Sequence, residues 1–370
     1  MWVSCPGYNL TIQKVNVING KNIAIMSAPK IDVHAHFLTP KYREALKKAG
    51  HFPGPDGLPW TVGWNAEDHL AFMEKNNVSK SILSCSSPGT HLIPGDDAFG
   101  REVTREVNEY AADLKRKYPA KFGFFASLPL PDIASSLIEI DYALDHLNAD
   151  GFILMSNFHG MYLGDPKLAP IWAKLQERRS AVLVHPTAPC IARVCNHSDP
   201  TPKRMLDSAP LADAYMIPMM EFFFDSTRTF VDLLLSGTAA AHPKVTFVIP
   251  HCGTALPSVL DRVFMFSTWD MSSYGTRNVH SITAPVVKEL FATQFYFDLA
   301  GVSMPSQIHH MMRWIKSDRL LYGSDVPFTP WVGAEKLLQA IETELPKLFG
   351  EEEIQDIYHG NAERLLSSSI

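Results

Sequence analysis

Histidine and aspartate residues end several apolar segments of the sequence, at positions where they could bind a divalent metal ion. His34 and His36 are two residues apart in the first segment, so a strand would place both imidazoles on one face. His185 ends the fifth apolar segment, and Asp325 ends the eighth. Three imidazole nitrogens and one carboxylate are a suitable ligand set for zinc or a similar ion. We therefore predict that these four residues bind a metal.

His251 ends the sixth apolar segment and is a fifth polar residue in the same pattern. A catalytic metal keeps one open coordination position, and four protein ligands are already available. The His251 imidazole could therefore act as a base or orient a substrate beside the ion, and the alternative is a fifth ligand. The fourth apolar segment, Gly151–Asn157, contains no lysine or glutamate that could bridge two ions. We therefore expect a single metal.

Eight short segments rich in β-branched and aromatic residues alternate with helix-like segments along the chain. Continuous apolar strands separated by helices are typical of a parallel sheet that is buried on both faces. Eight such units predict an α/β fold of the closed (β/α)8 TIM-barrel type, with the metal site at the C-terminal ends of the strands. The predicted strands are Lys30–Phe37, Ser81–Ser84, Phe122–Leu128, Gly151–Met155, Ala181–His185, Val245–His251, Gln294–Leu299 and Leu320–Asp325.

The sequence predicts one domain preceded by a short arm. Residues 1–29 form the expected N-terminal arm, and residues 30–370 form the barrel. Three connections, near residues 50–64, 187–209 and 269–281, are too long to be plain turns. Because long connections in a barrel build the mouth of the active site, we interpret them as insertions that shape the pocket.

The composition excludes several classes of protein. The chain has 370 residues and a net charge of −6, so it lacks the basic surplus with which nucleic-acid-binding proteins neutralise phosphates. It contains no apolar run long enough for a membrane span, and we find no secretory signal in the first residues. Five cysteines without a CxxC pair predict no disulfide framework and favour a reducing, cytoplasmic location.

Six motifs are distributed along the chain between about residue 30 and residue 366. They are Ile31–Phe37, Leu183–Pro186, Phe224–Arg228, Pro250–Gly253, Tyr322–Pro327 and Gly360–Leu365. Together they resemble the decarboxylase branch of the amidohydrolase superfamily, typified by aminocarboxymuconate-semialdehyde decarboxylase. Two more segments, Ala66–Met73 and Ser84–Gly89, are similar to those of fungal 6-methylsalicylate decarboxylases.

The resemblance implies a non-oxidative decarboxylase that uses one divalent metal ion and no organic cofactor. The four ligands named above would bind the ion, which we expect to be zinc, with manganese or magnesium as alternatives. His251 would be the catalytic imidazole. Arg262 matches an arginine that contacts the substrate carboxylate in a neighbouring subunit, which implies a homodimer, and a helix-surface ion pair is the alternative for this residue.

A small aromatic carboxylic acid with an ortho-hydroxyl group, above all 6-methylsalicylate, is the expected substrate, and m-cresol and CO2 are the expected products. Loss of CO2 from an intact ring would leave an aryl anion, so the ring carbon must first be protonated. Asp325 or His251 could supply that proton. Phe224, Trp269 and Phe328 are candidates for lining the pocket.

Several alternatives to this function stay open at this stage. The substrate could be isoorotate, a dihydroxybenzoate or aminocarboxymuconate semialdehyde. The same scaffold could also carry a metal-dependent hydrolase that attacks a lactone or an amide. A barrel that has lost its chemistry and serves as a binding or regulatory protein is the alternative from another class.

Overall fold

The structure of the protein is a computed structural model that describes most of the chain. The predicted arm, except for Pro29, lies outside the described residues, as do most of the connections 187–209 and 269–281. The division of the chain into an arm and a barrel with these insertions therefore stays a prediction. The described residues are 29–190, 209, 211–212, 214–269 and 280–367.

A sheet of eight parallel strands with intervening helices confirms the predicted (β/α)8 barrel. A two-stranded antiparallel hairpin, β5 (Asn157–Phe158) and β6 (Met161–Tyr162), follows the fourth strand of the barrel. The barrel strands are β1 (Lys30–His36), β2 (Val78–Ser84), β3 (Phe122–Ser127), β4 (Gly151–Met155), β7 (Ala181–His185), β8 (Thr246–Ile249), β9 (Phe295–Asp298) and β10 (Leu320–Leu321). Neighbours in this list are hydrogen-bonded to each other.

The helices pack around the sheet, and several begin with a side chain that caps the first turn. The Thr39 hydroxyl accepts a hydrogen bond from Tyr42 N at 2.9 Å at the start of the first helix. The helices are α1 (Pro40–Lys48), α2 (Ala66–Lys75), α3 (Asp97–Lys117), α4 (Ile133–Asp145), α5 (Ala169–Glu177), α6 (Ile217–Leu235), α7 (Thr238–Ala241), α8 (Leu256–Ser267), α9 (Ala284–Thr293), α10 (Ser306–Met311), α11 (Trp331–Leu348), α12 (Glu351–Gln355) and α13 (Asn361–Ser367).

Backbone hydrogen bonds between β1 and the chain that follows β10 close the barrel. Val33 N donates to Tyr322 O at 3.1 Å, and Asp325 N donates to His34 O at 2.7 Å. The first and last strands of the barrel are therefore neighbours, and this closure brings Asp325 beside the histidines of β1.

The interior of the barrel is filled by apolar side chains from all eight barrel strands. Helix α13 contributes two further side chains to the same cluster. A larger apolar cluster lies between the strands and the helices around them. The inner cluster contains Ile31, Val33, Ile82, Phe125, Ile153, Met155, Ala181, Leu183, Val248, Tyr296, Leu321, Ala362 and Leu365.

The pairing of β1 with β2 shifts by one residue between Asp32 and Ala35. Strict alternation of side chains would place Asp32 on the face of His34, and this shift interrupts the alternation. The Asp32 carboxylate instead accepts hydrogen bonds from Ser324 Oγ at 2.6 Å and Ser324 N at 3.0 Å. Asp32 therefore supports the closure of the barrel.

Cys85 and Cys252 are buried free thiols. The absence of a disulfide framework and the cytoplasmic location stay predictions. None of the described helices is long and apolar enough to span a membrane.

A buried hydrogen-bonded chain joins α2 to β2. Trp64 Nε1, which can only donate, bonds to His69 Nδ1 at 3.2 Å, so the proton of the neutral imidazole lies on Nε2. His69 Nε2 is 3.1 Å from Ser81 Oγ. Burial, together with a smaller effect of the nearby His36 imidazole, lowers the pKa of His69 to about 4.

We expect this histidine to make the fold sensitive to acid. Between about pH 6.5 and about pH 4 the unfolded chain binds a proton at His69 that the folded chain excludes, so stability falls as the pH falls. The loss should reach about 3 kcal/mol. Urea unfolding at several pH values should show that His69→Gln lacks this part of the slope. His309→Gln, at an exposed position, is the matched control, and equal slopes in both variants would contradict the assignment.

Candidate metal centre

Four polar side chains, from β1, β7 and the turn after β10, meet at the mouth of the barrel. His34, His36, His185 and Asp325 each offer one ligand atom, and these atoms lie within 4.8 Å of one another. His34 Nε2 is 3.1 Å from His36 Nε2, which is 3.2 Å from Asp325 Oδ1. The three histidines are buried, and the Asp325 side chain is 19% exposed. The structure thus brings together all four residues that were predicted to bind a metal.

Each of these imidazoles has a hydrogen-bond acceptor at Nδ1. His34 Nδ1 is 2.9 Å from Asp298 Oδ2, and His36 Nδ1 is 3.2 Å from the carbonyl oxygen of Ser84. His185 Nδ1 is 2.7 Å from the carbonyl oxygen of the residue that follows it. A proton on each Nδ1 leaves each Nε2 free as a ligand. Three such nitrogens and a carboxylate can hold a divalent metal ion.

Burial and the charges around the centre shift the pKa values of the four groups differently. Burial lowers the pKa of His36 and lowers that of His185 well below the usual value, so both imidazoles are neutral. Burial also opposes the charged form of His34, but Asp298 and Asp325 outweigh it and raise its pKa to about 9. Burial alone would raise the pKa of Asp325, yet hydrogen bonds from two of the histidines hold it well below its usual range.

His251 and Asp325 both lie in turns beyond the strands that they were predicted to end. Strand β8 ends two residues before His251, and β10 ends four residues before Asp325. Their φ angles are 53° and 60°, in the left-handed region that non-glycine residues rarely adopt. Such a conformation cannot be part of a strand, so neither residue could belong to the strand that it was predicted to end. Backbone strain of this kind is common where side chains must be aimed for function.

The turn at His251 is held by two polar side chains, those of Asp298 and Gln307. Asp298 Oδ1 accepts a hydrogen bond from His251 N at 3.0 Å. Gln307 Nε2 donates to the carbonyl oxygens of His251 at 2.6 Å and Thr254 at 3.0 Å. His251 Nε2 lies 3.8 Å from Asp325 Oδ2, and Nδ1 is buried without a hydrogen-bond partner among the described residues. The imidazole therefore stands beside the cluster with one nitrogen facing Asp325.

Phenylalanine rings contact three of the imidazoles at the mouth. Phe328 was among the predicted lining residues, but Phe224 and Trp269 are 46% and 53% exposed. The neighbouring residues of α6 take their place, because they are on the face of the helix that contacts the barrel. The ring pairs are Phe222 with His185 at 6.2 Å, Phe223 with His251 at 6.1 Å and Phe328 with His36 at 5.4 Å between centroids.

Arg262 lies on the exposed surface of α8 and contacts its own helix. Its guanidinium group is 4.8 Å from the centre of the Phe266 ring. The structure does not bring Arg262 to the metal cluster of its own chain, and its contact with a substrate stays a prediction.

Asp298 is the residue of the site that the sequence analysis missed. It ends β9 and is fully buried, and it contacts both His34 and His251. The criterion that found the other residues, a polar side chain at the carboxyl end of an apolar strand, applies equally to this aspartate.

Comparisons with known proteins agree with the fold and show the family. A decarboxylase of Aspergillus niger is 33% identical over 320 residues, which is 85% of this chain and 81% of that protein. A 6-methylsalicylic acid decarboxylase of Aspergillus aculeatus is 33% identical over 323 residues, which is 86% of this chain and 90% of that protein.

The same fold occurs in a solved 5-carboxyvanillate decarboxylase of Novosphingobium aromaticivorans, which was complexed with manganese and 4-hydroxy-3-methoxy-5-nitrobenzoic acid. The TM-score is 0.75 at 19% identity, and the match covers 92% of this chain and 96% of that one. The model of a family described as amidohydrolase matches residues 31–367. The chain therefore belongs to the amidohydrolase family, as its motifs predicted.

Proposed function

We propose that this protein is a carboxy-lyase that removes CO2 from an ortho-hydroxy aromatic acid, and that 6-methylsalicylate is its substrate. The observation that carries the proposal is the buried cluster of three histidines and one aspartate, with a further histidine 3.8 Å from that aspartate. The relatives named for decarboxylation, at 33% identity, favour this reaction over the hydrolysis that the same ligands could also support.

We propose that His34, His36, His185 and Asp325 hold a single divalent ion. Their donor atoms suit zinc, while manganese, which accompanies the solved 5-carboxyvanillate decarboxylase, and magnesium are the alternatives. When bound, the ion would supply a Lewis acid that orients the carboxylate and phenolic oxygens and stabilises negative charge on the phenolic oxygen.

The aromatic side chains at the mouth would bind the ring of the substrate. Phe222 and Phe223 come from α6, and Phe328 comes from the turn after β10, so they contact the cluster from different sides. Aromatic rings pack favourably against one another in edge and offset arrangements. An apolar wall beside a few polar groups is typical of a site for a small aromatic ligand.

His251 and Asp325 would handle the proton that the reaction consumes. One of them delivers it to the ring carbon that bears the carboxylate, which forms a C–H bond and interrupts the aromatic ring. The C–C bond to the carboxylate then breaks, its electron pair restores the ring, and CO2 leaves. His251 Nε2 and Asp325 Oδ2 are 3.8 Å apart, so one side chain can act as the proton donor and the other as the proton acceptor.

We also propose a homodimer in which Arg262 of one chain contacts the substrate carboxylate in the other. The exposed position of Arg262 supports this arrangement. Helix α8 begins only five residues after His251, so a subunit that packs on this helix lies close to the mouth.

Protein loaded with zinc or manganese should convert 6-methylsalicylate into m-cresol and an equal amount of CO2, and chelator-treated protein should not. Chromatography of the phenol together with CO2 detection measures this. The matched control is 2-methylbenzoate, which lacks the phenolic oxygen and should not react. Turnover of a dihydroxybenzoate without any m-cresol would refute the substrate, and a hydrolysed lactone or amide as the only product would refute the reaction class.

His251→Asn should lower kcat by about 10²–10⁴ because the amide cannot exchange a proton. Its metal content, measured by elemental analysis, should stay at the wild-type level because His251 is outside the ligand set. Asp325→Asn should lower both quantities. His91→Asn, which changes a buried histidine outside the cluster, should leave both unchanged. Loss of the metal from His251→Asn would instead make this residue a fifth ligand.

Mixing two inactive variants tests the role of Arg262. Arg262→Ala and His251→Asn should each be nearly inactive alone. If the arginine acts across the dimer, random mixed dimers contain one intact site, and about a quarter of the wild-type activity should return. No recovery, despite subunit exchange shown by mass spectrometry, would place the arginine in its own site or outside it.

A further inference from the structure

We propose that Asp298 is a positioning residue that fixes the tautomer of the ligand His34 and, at the same time, the backbone that carries His251. This inference rests on the proposed metal site and assigns a role to a side chain that is neither a ligand nor a proton donor.

The two carboxylate oxygens of Asp298 have separate partners. Oδ2 is 2.9 Å from His34 Nδ1. Oδ1 accepts hydrogen bonds from the backbone N–H groups of His251 and Ala300, both at 3.0 Å. The residue is fully buried at the end of β9, so water does not compete for these contacts. One side chain therefore joins the first strand of the barrel to the turn after β8.

The contact through Oδ2 decides which nitrogen of His34 can bind a metal. An ionised carboxylate only accepts hydrogen bonds, so His34 Nδ1 must carry a proton. In the neutral ring, which is the form that binds a metal, the lone pair is then on Nε2, 3.1 Å from His36 Nε2 within the ligand cluster. Without this acceptor the neutral ring could place its proton on Nε2 and point it at the metal position.

The contact through Oδ1 supports the strained turn of His251. The backbone at His251 has a φ of 53°, and Asp298 satisfies its N–H. Loss of this acceptor would leave a buried donor unpaired and let the turn relax, which would move the imidazole relative to Asp325.

Asparagine separates these two effects. In Asp298→Asn the amide oxygen can replace Oδ1 and keep both backbone hydrogen bonds. The amide NH2 group must then face His34 Nδ1, which favours the tautomer with a proton on Nε2. Alanine at the same position removes both contacts.

Asp32 provides the matched control, because it is equally buried and lies two residues from His34. Its carboxylate accepts from His34 N at 3.2 Å and from Ser324, and it contacts no imidazole of the cluster. Asp32→Asn makes the same substitution in the same region; its amide oxygen can still accept from His34 N and Ser324 N, and the partner of His34 Nδ1 is untouched.

The experiment measures metal affinity by chelator competition, without substrate, and kcat at saturating metal. Asp298→Asn should weaken metal binding about 10–100-fold, the usual effect of removing a partner of a ligand histidine, and should recover most of kcat once it is saturated. Asp298→Ala should weaken binding as much and keep a low kcat even at saturation. Asp32→Asn should retain the wild-type affinity.

Two results would overturn the inference. The first is an Asp298→Asn variant that binds metal as tightly as the wild type, and the second is an equal loss in Asp32→Asn. If the Asp298 variants do not fold, nitrogen NMR of the zinc-loaded wild type decides, because His34 Nδ1 should carry a proton that exchanges slowly with solvent. Rapid exchange of that proton would refute the inference. Since these readouts need no substrate, they are independent of whether the protein decarboxylates 6-methylsalicylate.

Discussion

Burial of polar groups at the barrel mouth is the constraint on which the rest of the structure depends. Three imidazoles and the carboxylate of Asp298 have almost no contact with water there, and such groups are costly to bury without partners. Each of the three imidazoles has a hydrogen-bond acceptor at Nδ1, so one of its two ring nitrogens is satisfied. The remaining nitrogens face one another, an arrangement that suits a bound cation. Closure of the barrel through Asp325 N and His34 O brings the Asp325 carboxylate beside them.

Much of this arrangement could be predicted from the sequence because one rule, on polar residues in buried strands, governs it. Parallel strands are buried on both faces, so a histidine or aspartate in such a strand needs a functional reason. Applying that rule to strand ends located His34, His185 and Asp325 without any knowledge of their contacts. The barrel itself followed from the number of apolar segments, and the core strands β4 and β7 have the predicted bounds.

The departures from prediction share a physical origin in local geometry that periodicity does not encode. The register shift in β1 takes Asp32 off the face of His34, and the alternation of side chains in the sequence does not indicate this shift. Three consecutive phenylalanines differ by about 100° around a helix axis, so their sequence cannot say that Phe222 and Phe223 contact the imidazoles while Phe224 faces solvent. The apolar pattern of these segments likewise does not indicate that His251 and Asp325 adopt a left-handed backbone conformation.

The turn after β8 has a consequence for how this site could change in evolution. His251, Cys252 and Thr254 all have φ angles between 52° and 54°, and each left-handed residue that is not glycine costs about 1–2 kcal/mol. Glycine could relieve that cost at two of these positions but not at His251, where the imidazole would be lost. The cost is therefore concentrated in three neighbouring residues. Substitutions at Cys252 and Thr254 would change stability and leave the four proposed metal ligands unaltered.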